Sequence, residues 1–400
     1  MNPVYLRIEE PRPRGAPPPD GFALWQLGFR PFYLLAGAFA ALSVPLWALQ
    51  FAGWLPRPYL HGPLWHAHEM LFGFALAVIV GFLFTAGRNW SGQPTPSGAA
   101  LAALALLWLA ARVLVLTPWG WAAAAANVAF PLAAAVGLAL PLYAAGNRRN
   151  YFFVGLLALL GLASLVVHLS ALGALPQPPV DGLQLGLDVV LFIMAVMAGR
   201  VVPMFTNNGV RGAQARRHDT LEALALGSLL LLAAAGLSGL RGAPLALLAT
   251  AAACAHLARW CLWQPWKTLR TPLVWVLHAA YLWIVLHLLL RAAAAAGWTT
   301  ASLATHALMV GAAGGLIIGM MTRTARGHTA RPLRADGADV TCYGLVLGAA
   351  LVRVGWPLLQ PQALIEAALL SAALWAAGFG LFVWRYAPWL LRPRLDGRPG

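Results

Sequence analysis

Ala67-His68-Glu69-Met70-Leu71-Phe72-Gly73-Phe74-Ala75-Leu76-Ala77-Val78-Ile79-Val80-Gly81-Phe82-Leu83-Phe84-Thr85-Ala86 is the stretch on which the fold reading turns. Apart from His68, Glu69 and Thr85 it is apolar or glycine. At about 1.5 Å of rise per residue it is long enough to cross a hydrocarbon core about 30 Å thick. Runs of the same kind recur at 31–53, 67–86, 98–117, 120–144, 151–173, 183–203, 219–239, 243–263, 272–291, 299–321, 339–357 and 363–386. The fourth is the weakest, because Pro131 and Pro141 interrupt it. Composition agrees: 60% of residues are apolar and 10% charged, where a soluble chain carries about 25% charged residues. Mean hydropathy is +0.72. Water cannot solvate so uncharged a surface, which excludes the soluble, fibrous and disordered classes. The predicted fold is all-α, a polytopic integral membrane bundle of about 12 transmembrane helices. A polar segment, 1–30, with three prolines at 17–19, precedes the transmembrane domain at 31–386, and a basic tail, 387–400, follows it.

The formal net charge is +15. No basic stripe interleaved with aromatics supports nucleic acid as a partner, and in a membrane protein the excess orients the loops. Of 27 Lys and Arg, all but Arg57, Arg112, Arg241, Arg291 and Arg353 fall on one side of the twelve-span arrangement. Both termini are therefore expected in the cytoplasm, with even-numbered spans running from outside to inside. The three cysteines, Cys254, Cys261 and Cys342, form no CxxC or CxxCH pattern. That excludes a disulfide framework, a zinc ribbon and covalent c-type haem attachment.

His68, Gly73 and Gly81 in the second span have the spacing of His306, Gly311 and Gly319 in the tenth. The sixth span keeps Gly186 and Gly199 but has no histidine. Three pseudo-repeats of four helices would explain this, as would chance alignment among 40 glycines.

Ionisable groups inside spans cost roughly 2.5–3.5 kcal/mol to insert and are functional candidates by default. His66, His68, Glu69, His168, Asp188, His287 and His306 fall towards the outer face. His256, His278, Met204, Met320, Met321 and His328 fall towards the inner one. His68 and His306 form the sharpest pair, at equal depth on helices running the same way. Facing one another they would ligate a low-spin, non-covalent haem b; otherwise they hydrogen-bond between helices. His66 and His287 are the reserve ligands. Glu69 would hold a ligand imidazole or relay protons. Asp188, with no basic residue within a turn, either pairs with another helix or is protonated. His61 reads as interfacial. Methionines and cysteines on apolar helices usually pack, so no copper site is assigned. At the inner face, Arg88, Arg200, Arg323, Arg326, His328 and Arg331 suggest an anion or haem-propionate site or a partner dock, set against ordinary positive-inside anchoring. No Walker loop, nucleophile elbow or HExxH motif occurs. No catalytic residue is assigned, and whether the chain is an enzyme stays open.

Several stretches carry a resemblance. They are Gly28-Phe29-Arg30-Pro31-Phe32, His66 to Phe74, Thr85 to Gly92, Arg200 to Asn208, and Thr305 to Arg331. Together they resemble the NnrS family of polytopic bacterial membrane proteins, over nearly the whole chain. Ala330 and Ser91 stand where that family often has Gly and Thr. The resemblance implies an inner-membrane protein containing haem and copper, linked to nitric oxide, denitrification and nitrosative stress. It implies nitric oxide or another small ligand, and a redox or assembly partner, besides lipid and haem. The architecture is also distantly similar to the catalytic subunit of haem–copper oxidases and nitric oxide reductases. The sixth and seventh spans, however, lack the histidines of that binuclear centre. A transporter and a membrane scaffold for assembling denitrification components are the alternatives.

Overall fold

The computed structural model describes residues 21–51, 59–60 and 62–398. The first twenty residues of the N-terminal segment, with Arg7, Arg12 and Arg14, lie outside the described residues, as do Arg57 and His61. Twelve helices stand among the described residues: α1 (Phe29–Phe51), α2 (Gly62–Ser91), α3 (Gly98–Leu114), α4 (Gly120–Ala144), α5 (Phe152–Ala171), α6 (Pro179–Gly209), α7 (Asp219–Leu237), α8 (Ala243–Leu262), α9 (Pro272–Ala295), α10 (Ala301–His328), α11 (Gly337–Leu359) and α12 (Leu364–Leu391). Eleven are long and apolar enough to cross a membrane; α3, at 17 residues, is the short one. The chain is an all-helical polytopic membrane bundle, and its apolar outer faces meet lipid.

Boundaries differ from the sequence expectation where local chemistry intervenes. The third run was expected to reach residue 117. It stops at Leu114 because the Thr117 hydroxyl donates to the Leu114 carbonyl at 2.7 Å just before Pro118. α4 runs unbroken through Pro131 and Pro141, as packed transmembrane helices permit. α2, α6 and α10 extend well past their apolar runs, so the polar motifs after them are helical.

Consecutive helices pack in a ring that closes through α12 against α1, with α2, α6 and α10 reaching the middle. An apolar cavity of about 90 Å³ lies between those three, lined by Ile79, Met194, Met197, Leu316 and Met320 among others. α2 and α10 share a second feature. Each opens as an α-helix, widens into a π-helix directly after its histidine (Glu69–Ala75 after His68, Ala307–Ala313 after His306), then returns to α-geometry. π-turns of this kind are frequent at functional sites. The shared glycines explain the packing. A Cβ on Gly81 would stand 2.8 Å from Phe32 Cβ of α1, and one on Gly319 would stand 2.8 Å from Leu277 Cδ2 of α9. Each central helix thus presses its glycine face on the helix before it, giving the α1–α2 and α9–α10 repeat a physical basis.

Candidate functional site

The end where α2, α6 and α10 begin, here the histidine end, gathers three clusters, the first and third largely buried and the second, with His66, His306 and Arg353, half-buried. The first joins α2, α3, α4 and α5. His68 Nδ1 donates to Glu69 Oε1 at 2.8 Å, and Arg112 Nη1 donates to the same oxygen at 2.9 Å. Arg112 Nη2 donates to the Asn127 carbonyl oxygen, whose amide donates to Ala123 O at 2.8 Å. The Trp108 indole donates to Gly73 O at 2.9 Å, inside the π-turn. His168 of α5 stands edge to face against His68, ring centroids 4.8 Å apart, with Nδ1 hydrogen-bonded to the Tyr59 hydroxyl. His68, Glu69 and His168 have no solvent exposure.

The second cluster joins α2, α10 and α11. His306 Nδ1 donates to Ser302 O at 2.7 Å, which leaves Nε2 as its ligating nitrogen. His66 and Arg353 share the electrostatic neighbourhood of His306. The His66 ring packs at 4.8 Å from the Trp47 ring. His66 Nδ1 and Arg353 Nη1 are buried without hydrogen-bond partners. The third cluster joins α6, α9 and α10. Arg291 Nη1 donates to Asp188 Oδ1 at 2.7 Å, and His287 Nδ1 donates to Ala304 O at 2.8 Å, leaving its Nε2 buried and unpartnered. Asp188 thus pairs with another helix, one of the two roles its sequence context allowed.

His68 and His306 therefore fall in different clusters, His68 with His168 and His306 with His66. Residues two apart on a helix point about 200° apart, so α2 serves both clusters. His68 and His168 are too close to straddle a haem, whose collinear axial imidazoles hold their centroids about 6 Å apart. The second cluster offers two half-buried imidazoles, from α2 and α10, with the Arg353 guanidinium of α11 in the same neighbourhood. Among the described residues no three His, Cys, Asp or Glu side chains stand together as a metal-ion cage. Arg112, His168, Tyr59, Arg353 and Arg291 were not singled out as site residues from sequence. His168 had a sequence signal in its depth, and Arg112, Arg291 and Arg353 in standing among the five basic residues on the sparse side. The two arginines of the first two clusters come from α3 and α11, the third helices of the equivalent units.

The opposite, arginine-rich end resolves differently. Arg326 is neutralised: it donates to Asp339 Oδ2 at 2.6 Å, to Asp336 Oδ2 at 2.8 Å and to the Tyr386 hydroxyl at 3.2 Å. Arg200 donates to Asn150 at 2.7 Å and lies over Phe153, while Arg323 lies 3.8 Å from the Phe205 ring centre. Arg331 lies over Trp389, and burial followed by the repulsion of Arg385, Arg326 and Arg392 lowers its pKa to about 10. Arg88 and His328 share a neighbourhood with Arg30 and Arg394. Among the described residues, Arg30 thus lies near Arg331, Arg394 and His328, and His328 in turn lies near Arg88. The family-like motifs here also join helix ends. Phe29 N–H donates to Thr85 Oγ1 at 3.1 Å, and Arg30 Nη1 donates to the carbonyls of Leu390 (2.9 Å) and Arg392 (2.7 Å). Those are the carbonyls a helix C-terminus leaves unsatisfied.

His256 sits in a satisfied network, bonding the Tyr281 hydroxyl at 2.6 Å and the Ala225 carbonyl at 3.0 Å, whereas His278 bonds Thr206 Oγ1 at 2.8 Å through Nε2 and keeps its Nδ1 buried without a partner.

Comparison with protein-family models matches residues 23–394 to the family described as NnrS protein. No curated protein matches the chain.

Proposed function

The chain belongs to the NnrS family, and on that premise, which supports a membrane protein of the nitric oxide response, we propose that it binds haem b at the histidine end. His306 and His66 would be the axial ligands, with His68 and His287 in reserve, and Arg353 would neutralise a propionate. The observation that carries this reading is His306, its Nδ1 tied to Ser302 O, in one electrostatic neighbourhood with His66 and with Arg353, whose Nη1 is buried without a partner. Bound haem would supply an iron able to exchange electrons or sense nitric oxide. The chain's own part is to fix the imidazole tautomers and shut out water. Glu69, paired to Arg112 and His68, and Asp188, paired to Arg291, stiffen the two neighbouring clusters.

The basic-residue asymmetry supports a bacterial inner-membrane orientation with both termini and the arginine-rich end in the cytoplasm. The histidine end would then face the periplasm, and a redox or assembly partner would dock on the arginine end. The transporter alternative draws nothing from the central cavity, whose lining is apolar apart from Tyr33. The test is the reduced-minus-oxidised spectrum of protein purified from haem-replete cells. A sharp, split band of six-coordinate b-type haem is expected, and a colourless preparation overturns the reading.

A further inference from the structure

We infer that His68 and His168 form a buried site for one imidazole-binding transition-metal ion of the copper or zinc class. Each ring has one nitrogen committed to a supporting partner and the other free. Nδ1 of His68 is held by Glu69, itself fixed by Arg112, and Nδ1 of His168 is held by Tyr59. Nε2 of both rings is buried without a partner. A buried imidazole nitrogen left unpaired costs about 1–3 kcal/mol, and two of them on rings whose centroids stand 4.8 Å apart mark a place where something binds. Imidazole ligands typically donate the distal N–H to a carboxylate or other acceptor, which sets the tautomer and raises basicity. His68–Glu69 is that arrangement, and His168–Tyr59 becomes it when Nδ1–H donates to the phenol oxygen.

The spacing suits one ion. A metal about 2.0 Å from each Nε2 at a tetrahedral angle brings the ring centroids to about 5 Å, close to the 4.8 Å found. Ser164, one turn from His168 on α5, adds a fully buried hydroxyl without a partner. Two imidazoles leave coordination positions for a small exogenous ligand. Binding is simple ligation: the Nε2 lone pairs displace water from the arriving ion, and both Nδ1 protons stay in place. His68 lies on the face of α2 opposite to His66, so the site is separate from a haem held by His66 and His306 and is overturned if His68 proves to be the haem ligand. Copper, which the family resemblance implies, belongs to the metal class that prefers such ligands.

The test uses the full chain in detergent, stripped with chelator, loaded with copper(II) chloride and freed of excess by gel filtration. Electron paramagnetic resonance of the wild type should show superhyperfine coupling to two imidazole nitrogens. His68→Ala and His168→Ala should each weaken copper binding more than about 100-fold. Tyr59→Phe, which removes only support, should weaken it about 10- to 100-fold. Haem content is read on the same samples. His66→Ala and His306→Ala should leave copper binding unchanged, whatever they do to haem. Wild-type copper without nitrogen coupling overturns the site even if the histidine variants fail to fold. Wild-type affinity in both folded His68 and His168 variants overturns it as well.

Discussion

Arg291 of α9 donates to Asp188 of α6 at 2.7 Å, and both side chains are largely buried. Breaking a buried ion pair by removing one partner leaves an uncompensated charge and costs about 3–5 kcal/mol, whereas replacing both with apolar groups is often close to neutral. Asp188→Leu alone and Arg291→Met alone should therefore each lower stability by about 3 kcal/mol or more, and the double variant should recover most of it. Thermal unfolding of the four proteins in one detergent gives the double-mutant cycle. Additive losses would show that the pair carries no coupling.

Ala330 has a backbone φ of 60°, at the turn that ends α10. A Cβ there costs about 1–2 kcal/mol in the left-handed region, and glycine pays no such penalty. Ala330→Gly should raise stability by about 1 kcal/mol after the greater entropy of the unfolded glycine chain is deducted. A rise in unfolding midpoint checks it. The same geometry fits the glycine frequent at this position in the resembled family, and nothing in the structure explains the alanine here.

The twelve helices were legible in the sequence because span length and apolarity are local properties, readable in a window of about 20 residues. The His–Gly–Gly spacing showed that α2 and α10 are equivalent. It did not show the π-turns after His68 and His306. Partner choice was the least legible. His68 meets His168 across 100 positions, and Arg291 meets Asp188 across 103. A single sequence states the depth of each group but not its direction around the helix. Arg326 shows the same limit at the other end: it looked like a free cation, yet Asp336 and Asp339, ten and thirteen residues on, fold back to neutralise it.

Asp336 lies outside the spans and caps α11, its side chain accepting from Asp339 N. Burial would raise its pKa, but hydrogen bonds from Arg385, the Asp339 backbone and Arg326, with the Arg326 charge, outweigh this and hold it down at about 2. The ordinary value is 3.8. A group depressed on folding stabilises above its unfolded pKa and loses that stability as pH falls through its folded pKa. Wild-type stability should fall between about pH 4 and pH 2 through this group, and Asp336→Asn should flatten that part of the profile. Unfolding midpoints against pH read it directly. An unchanged slope in the variant would show that other carboxylates carry the acid sensitivity.

His306 shares an electrostatic neighbourhood with His66 and Arg353, whereas the hydrogen bonds of His256 and His278 lie elsewhere. With His66 and His306 as axial ligands, His306→Ala and His66→Ala should each abolish the low-spin haem spectrum or convert it to a five-coordinate one. His256→Ala and His278→Ala should keep it, although each frees a buried hydrogen-bond partner and should cost about 1–3 kcal/mol of stability. That contrast separates ligation from general weakening, because stability falls in all four variants and the spectrum changes in two. His68→Ala discriminates within α2. Retention of haem there with loss in His66→Ala assigns the ligand to His66, and the reverse assigns it to His68. Full six-coordinate haem in both the His306 and the His66 variants would remove the α2–α10 haem altogether. His287, with its buried unpartnered Nε2, would then be the next ligand to test.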